Sequence, residues 1–134
     1  MIKVETVKCL KDNFSYVIHN NTEALVIDPS ESGPINRLLE KLKLKLKYIL
    51  NTHHHFDHVD GNSDLKEKYK CKIIGFIDDK KRIPGIDICL KNHEVFSEGD
   101  FKFKIYHTLV ILRVIYVITF LIKKIYLQEI HYFP

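Results

Sequence analysis

Four side chains within six consecutive positions, His53, His55, Asp57 and His58, form a set of nitrogen and oxygen donors that a pair of divalent cations could share. Imidazole and carboxylate suit zinc and equally iron or manganese, so the donor types leave the metal open. The spacing says more. In an extended segment alternate side chains leave the same side of the backbone, so His53 and His55 can converge on one cation while His54 points elsewhere. Asp57 and His58 follow where the chain can turn back and offer a carboxylate and an imidazole to a second cation. Two cations about 3.5–4 Å apart can hold a bridging hydroxide at neutral pH and polarise a carbonyl, which is the logic of binuclear hydrolysis. On this reading all four residues are metal ligands, and Asp57 belongs also to the catalytic machinery. A chance histidine cluster on a loop is the bland alternative. The added Asp57-His58, the apolar strand before the cluster and Gly61-Asn62 after it argue against chance. Gly61 is expected to let the backbone pass close to the site and enter the next helix. His19, His93 and His131 lack any such context and are expected to be surface or internally satisfied side chains.

The elements that must position these ligands can be read from periodicity. Residues 2–8 and 14–19 are rich in Val, Ile, Phe and Tyr, and Lys11-Asp12-Asn13 between them predicts a hairpin turn. Ala24 to Ile27 is a third apolar run, broken by Asp28-Pro29-Ser30, after which Glu-Ser-Gly offers a helix start. From Pro34, the spacing of Ile35, Leu38, Leu39 and Leu42 predicts an amphipathic helix of about three turns. The alternating Lys43-Leu44-Lys45-Leu46-Lys47 reads as a solvated helix end leading into the next strand rather than as a basic binding patch. Tyr48-Ile49-Leu50 is a short buried-type strand that ends in the polar loop Asn51 to Asn62. A helix over about 63–69, a strand over Lys72 to Gly75 and a strand pair over about 88–96 and 101–106 follow, with turns at Pro84-Gly85 and Glu98-Gly99-Asp100. Strands first, then strand-helix-strand alternation, predict a mixed α/β layered fold.

Composition excludes several classes. At 134 residues, 46% hydrophobic and 28% charged, the chain fits one domain with a workable core. Its 21 basic and 17 acidic residues are scattered rather than gathered into a stripe that would follow a phosphate backbone, so no nucleic-acid partner is expected. Cys9, Cys71 and Cys89 are odd in number and show no Cys-x-x-Cys spacing, which predicts reduced, buried thiols in a cytoplasmic protein rather than a disulfide framework or a cysteine zinc site. The opening residues read as a strand rather than as a targeting segment.

Thr52-His53-His54-His55-Phe56-Asp57-His58 with Gly61-Asn62 resembles the metal loop of the metallo-β-lactamase superfamily, and its triple histidine followed by an aromatic is similar to glyoxalase II, the hydroxyacylglutathione hydrolases. Leu10-Lys11-Asp12-Asn13-Phe14-Ser15-Tyr16 resembles the opening hairpin of that family, and Val26-Ile27-Asp28-Pro29 the strand whose aspartate sits beneath the metal loop. Ile83-Pro84-Gly85-Ile86 resembles the segment leading to the family's next strands. The resemblance covers residues 1–108 and implies the N-terminal portion of an αββα sandwich. It also implies two zinc ions per site, with iron or manganese as alternatives, and hydrolysis of a glutathione thioester such as S-D-lactoylglutathione by a metal-held hydroxide. A persulfide dioxygenase or a lactonase would share the same loop, and a non-catalytic weak metal binder is a reading from another class.

After Tyr106-His107-Thr108 the pattern breaks. The family continues Pro-Gly-His-Thr-x-Gly-His, whose first histidine is a metal ligand, whereas this chain has Leu109-Val110-Ile111-Leu112-Arg113-Val114-Ile115. Loss of one nucleotide just after codon 108 would account for the difference. If residues 109–112 are encoded CTG, GTC, ATA and CTN, these codons preceded by a lost C regroup as CCT GGT CAT ACT, which spells Pro-Gly-His-Thr. The same regrouping turns Gln128-Glu129-Ile130-His131-Tyr132-Phe133-Pro134 into Thr-Gly-Asp-Thr-Leu-Phe-Ser, and the family's bridging aspartate lies in such a Gly-Asp-Thr segment. Residues 109–134 are therefore expected to be an out-of-frame tail behind a partial domain of residues 1–108. Ile111 then stands in place of a ligand histidine and Ile130 in place of the bridging aspartate, while a later histidine and the substrate-binding helices would lie beyond Pro134. A truncated, pseudogene-type product without thioesterase activity is the expectation. Of the 26 tail residues, 18 are Ile, Leu, Val, Tyr or Phe, and none is Gly, Asn, Asp or Ser. Leu109 to Ile122 could suggest a membrane span, but it has 14 residues and contains Arg113, where a span needs about 20 apolar residues.

Overall fold

A meander of three antiparallel strands begins the chain: β1 (Lys3–Cys9), β2 (Asn13–His19) and β3 (Glu23–Ile27). The computed structural model describes residues 3–9, 13–51, 61–107 and 116–118. Of the expected Lys11-Asp12-Asn13 turn, Lys11 and Asp12 lie outside them, but the pairing of Cys9 with Asn13 gives the hairpin expected there. Between β2 and β3, Asn20 Oδ1 accepts the amides of Thr22 and Glu23 at 3.0 and 2.7 Å, and Asn21 takes φ 73°. Asparagine is among the residues that tolerate this left-handed region best.

Helix α1 (Ser32–Leu42) starts two residues before Pro34, placing the proline in the first turn, where a missing amide hydrogen breaks no helical bond. It buries Ile35 and Leu39 and ends with Lys43 left-handed at φ 56°. Strand β4 (Lys45–Leu50) begins earlier than its apolar run suggests. Exposed Lys43 caps α1 and Lys45 opens β4 with Leu46 buried, so the Lys-Leu run is the expected helix end leading into a strand, whose period of two sets the later alternation.

Helix α2 (Asn62–Tyr69), β5 (Lys72–Phe76), a 3₁₀ turn (Ile77–Asp79) and β6 (Ile88–Leu90) follow. The strand expected over 88–96 is split. β6 completes the first sheet, whereas β7 (Val95–Glu98) pairs antiparallel with β8 (Phe101–His107) in a second one. The break is a turn at Lys91–Glu94, with Glu94 N bonded to Lys91 O at 2.9 Å and His93 at φ 71°. β9 (Tyr116–Ile118), inside the tail, pairs antiparallel with β8. Tyr, Val and Ile are strong strand formers whatever their origin.

The first sheet runs in order β1-β2-β3-β4-β5-β6, antiparallel through β3 and parallel from β3 to β6. Val17, Ala24, Val26, Ile49 and Ile73 face α1 and α2, packing on Ile35, Leu39 and Leu65. Their neighbours Ile18, Leu25, Ile27, Leu50 and Ile74 pack on Phe96 and Phe101 of the second sheet. In β4, Leu46 belongs to the helix side and Tyr48 to the sheet side although they are two residues apart. The register shift between Ala24↔Leu46 and Leu25↔Tyr48 explains this, because one extra residue exchanges the two faces. Helix layer, six-stranded sheet and smaller sheet thus give an α/β/β portion of the expected sandwich.

Candidate metal centre

Parallel strands β3, β4 and β5 place their carboxyl ends along one edge of the sheet, where open α/β folds bind ligands. The ladder continues one residue past the strands, since Asp28 N donates to Leu50 O and Asn51 N to Ile74 O, both at 2.9 Å. At this edge the backbone of Asp28 is left-handed, φ 52°, and the residue is buried. Its carbonyl accepts the Ser15 hydroxyl at 2.7 Å. The Cys9 thiol lies 3.4 Å from Ser15 Oγ and 4.0 Å from Glu31 O, so β1 and β2 together hold the Asp28 corner.

The segment carrying the four donors leaves β4 at Asn51 and returns at Gly61-Asn62, the start of α2. Gly61 N donates to Pro29 O at 2.8 Å, and a Cβ on Gly61 would lie 2.6 Å from that oxygen and 3.0 Å from Glu31 C. Only glycine allows so close an approach, the role expected from the sequence. Asn51 and Asn62 are buried and exchange hydrogen bonds, Asn62 Nδ2 to Asn51 Oδ1 at 2.6 Å and Asn51 Nδ2 to Asn62 Oδ1 at 3.4 Å.

His53, His55, Asp57 and His58 themselves lie outside the described residues, so the structure supplies the frame of the candidate centre and not its ligand geometry. Among the described residues no group of three or more His, Cys, Asp or Glu could hold a metal ion. By chemistry the four donors suit divalent cations, and the residues that flank their segment, Asn51 and Gly61, are each held by a backbone hydrogen bond. His19 is buried and satisfied, its Nε2 3.0 Å from Glu5 Oε2 and its Nδ1 accepting the Asn21 amide, while His93 is exposed. His131 is outside the described residues.

Cys9, Cys71 and Cys89 are free thiols, the first two buried and Cys89 half-buried, and burial pushes the Cys71 thiol up to about 11. No helix among the described residues is long and apolar enough to cross a membrane. Sequence reasoning left Asn51 as the first residue of a polar loop and passed over Ser15 and Cys9. A polar residue closing an apolar strand was the available signal for Asn51. Cys9 and Ser15 gave none, because their carbonyl partners, Glu31 O for Cys9 and Asp28 O for Ser15, lie 22 and 13 positions away in sequence.

Helices on one face of a mixed six-stranded sheet and a smaller sheet on the other define a layered α/β class of fold that hosts many activities. The sequence profile described as "Metallo-beta-lactamase superfamily" matches residues 11–127, and the chain belongs to that superfamily. It is 48% identical over 108 residues to the hydroxyacylglutathione hydrolase of Pelagibacter ubique (strain HTCC1062), covering 79% of this chain and 45% of that protein. Among solved structures, ETHE1 from Myxococcus xanthus has a TM-score of 0.67 at 19% identity, over 87% of this chain and 53% of that one. BJP-1, a subclass B3 metallo-beta-lactamase of Bradyrhizobium japonicum, gives 0.61 at 24% identity, over 71% and 45%. At such identities the structural likeness concerns the fold alone. The chain spans less than half the length of the curated relatives it matches, from 40% to 45%.

Proposed function

We propose that the chain is a glyoxalase II-type protein by descent, built around hydrolysis of a glutathione thioester, with His53, His55, Asp57 and His58 as its metal-binding residues. The 48% identity to a hydroxyacylglutathione hydrolase carries this reading. Zinc suits the donor set, and so do iron and manganese. Bound divalent cations would supply Lewis acidity toward a thioester carbonyl and toward water. His53 and His55 would hold one ion, and Asp57 and His58 the other. The Asp28 corner, Gly61 and the asparagine pair support the two ends of the segment that carries them.

We further propose that residues 109–134 are an out-of-frame tail and that the chain as written has little or no thioesterase activity. Ile111 and Ile130 are aliphatic where the family's histidine and bridging aspartate would coordinate, and two-ligand sites bind divalent metal far more weakly than three- or four-ligand ones. The test compares two purified, metal-loaded proteins on S-D-lactoylglutathione, this chain and the product of the gene with one base inserted at codon 109. Tighter metal uptake by the frame-restored protein and no turnover by this chain are expected. Turnover by this chain at ordinary enzyme rates, about 1–1000 per second, would sink the proposal of inactivity.

A further inference from the structure

In a neutral imidazole one nitrogen carries the proton and donates, and the other accepts. His19, 2% exposed at the end of β2, has both engaged. Its Nδ1 is 3.1 Å from the backbone amide of Asn21, and an amide N–H can only donate, so Nδ1 accepts and carries no hydrogen. The ring proton therefore sits on Nε2 and points to Glu5 Oε2 of β1, 3.0 Å away. The two partners together select this tautomer.

The turn that His19 holds reaches the second sheet. Asn20 Oδ1 accepts the amides of Thr22 and Glu23, and Asn20 Nδ2 donates to Asp100 Oδ2 at 2.8 Å, in the turn between β7 and β8. Asp100 precedes Phe101, whose buried ring packs against the first sheet. The charged groups of the surrounding elements are Lys3, directly opposite His19 in β1, and Glu5; Glu23 at the head of β3, 3.9 Å from Lys47 of β4; Lys45, whose amide bonds to Thr22 O; and Asp100. Of these, among the described residues, Glu5 alone bonds to the ring. A second proton arriving from solvent has only Nδ1 to occupy, and there it confronts the Asn21 N–H. Two donors cannot share one hydrogen bond, so the amide loses its acceptor.

We propose that His19 is a proton-operated latch: its neutral ring holds the β2–β3 turn through the Asn21 amide, and a second proton, on Nδ1, releases that turn together with its Asn20–Asp100 tie to the β7–β8 turn.

The experiment follows the full chain by NMR from about pH 8 to about pH 4.5, the span in which histidine side chains take up a second proton. Long-range proton–nitrogen correlations of the His19 ring are expected to show the neutral form protonated on Nε2. The Asn21 amide and the Asn20 side-chain NH₂ are expected to shift with the same midpoint as the His19 ring. Protection of the Asn21 amide, corrected for its intrinsic exchange rate, is expected to fall about tenfold across that midpoint while β3 to β5 stay protected. In His19→Asn a side-chain oxygen stands near the place of Nδ1 and does not titrate, so the protection of Asn21 is expected to be independent of pH. His19→Gln reaches toward Glu5 instead and leaves Asn21 without its acceptor, so low protection is expected at every pH, and this variant serves if the first does not fold. A neutral ring protonated on Nδ1 would overturn the proposal, as would Asn21 protection that ignores the His19 midpoint or still follows pH in His19→Asn. Loosening of the whole first sheet at the same midpoint would overturn it too. An Asn20 NH₂ that does not move with the ring would overturn the tie to the second sheet.

Discussion

Gly61 shows how much of the candidate centre rests on single side chains. Its amide bonds to Pro29 O, and an added methyl carbon would sit 2.6 Å from that oxygen, a backbone atom that cannot swing aside. Gly61→Ala is therefore expected to lower stability by about 1–3 kcal/mol, as overpacking in a tight contact does. Urea unfolding checks this, and a midpoint equal to wild type would mean that the β3–α1 corner yields more easily than its hydrogen bonds suggest. Ser30, on the same corner, has its hydroxyl buried without a hydrogen-bond partner among the described residues. An unpaired buried hydroxyl costs about 1–3 kcal/mol, so Ser30→Ala is expected to be neutral or slightly stabilising by the same measurement. The two substitutions meet at one corner, since Gly61 bonds to the residue before Ser30, and are expected to act in opposite directions.

At the scale of elements, Asp87 links three parts of the fold. Its Oδ2 accepts the amide of Ile73 in β5 at 2.8 Å and the ammonium of Lys66 in α2 at 2.7 Å, while Lys66 also donates to Gly85 O at 2.8 Å. Partial burial opposes ionisation of this carboxyl. The Lys66 and Ile73 hydrogen bonds, with the charges of Lys66 and Lys72, outweigh it and hold the pKa below the ordinary 3.8. A carboxyl whose folded value is depressed stabilises the protein fully above its unfolded value and loses that contribution as pH falls through the folded one. Asp87→Asn is thus expected to cost about 1–2 kcal/mol at pH 7, and the difference from wild type should shrink only below about pH 4. Urea midpoints across pH measure it. A gap of constant size down to pH 2 would show that the contribution is not ionic. The exposed Lys68–Glu40 pair between the helices holds Glu40 below and Lys68 above their usual values through their mutual hydrogen bond, and carries no comparable expectation because solvent screens it.

For the whole molecule, the second sheet is held to the first by a small apolar contact. Tyr48 meets Phe96 and Phe101 edge-on, at ring centroid distances of 5.1 and 6.1 Å, and Phe101 is among the most deeply buried side chains. Burial of the Tyr48 ring, with Glu98 and Glu23 nearby, pushes its hydroxyl pKa up. Phe101→Ala is expected to cost about 3–5 kcal/mol and to expose β7 and β8 to hydrogen exchange before β3 to β5. Simultaneous loss of protection in both sheets would instead show one cooperative unit. The six-stranded sheet also ends in β1 on one side and the three-residue β6 on the other, and strand edges of this kind can template pairing with other chains.

The sequence alone was enough to give the helix-sheet alternation and the need for glycine at position 61, because periodicity and close approach are properties of residue types at short spacing, and it is the sequence that proposes the donor set. Tertiary structure decided what depends on partners distant in sequence. Sheet membership divided the strand expected over 88–96, and a register shift decided which face Leu46 and Tyr48 take. The contact between Asn51 and Asn62, the Cys9–Ser15–Asp28 chain and the Asp87 tie were equally out of reach of local patterns. The four donors identified from sequence thus stand between two ends whose anchoring only the fold reveals, since hydrogen bonds between buried side chains depend on which strands come to lie side by side.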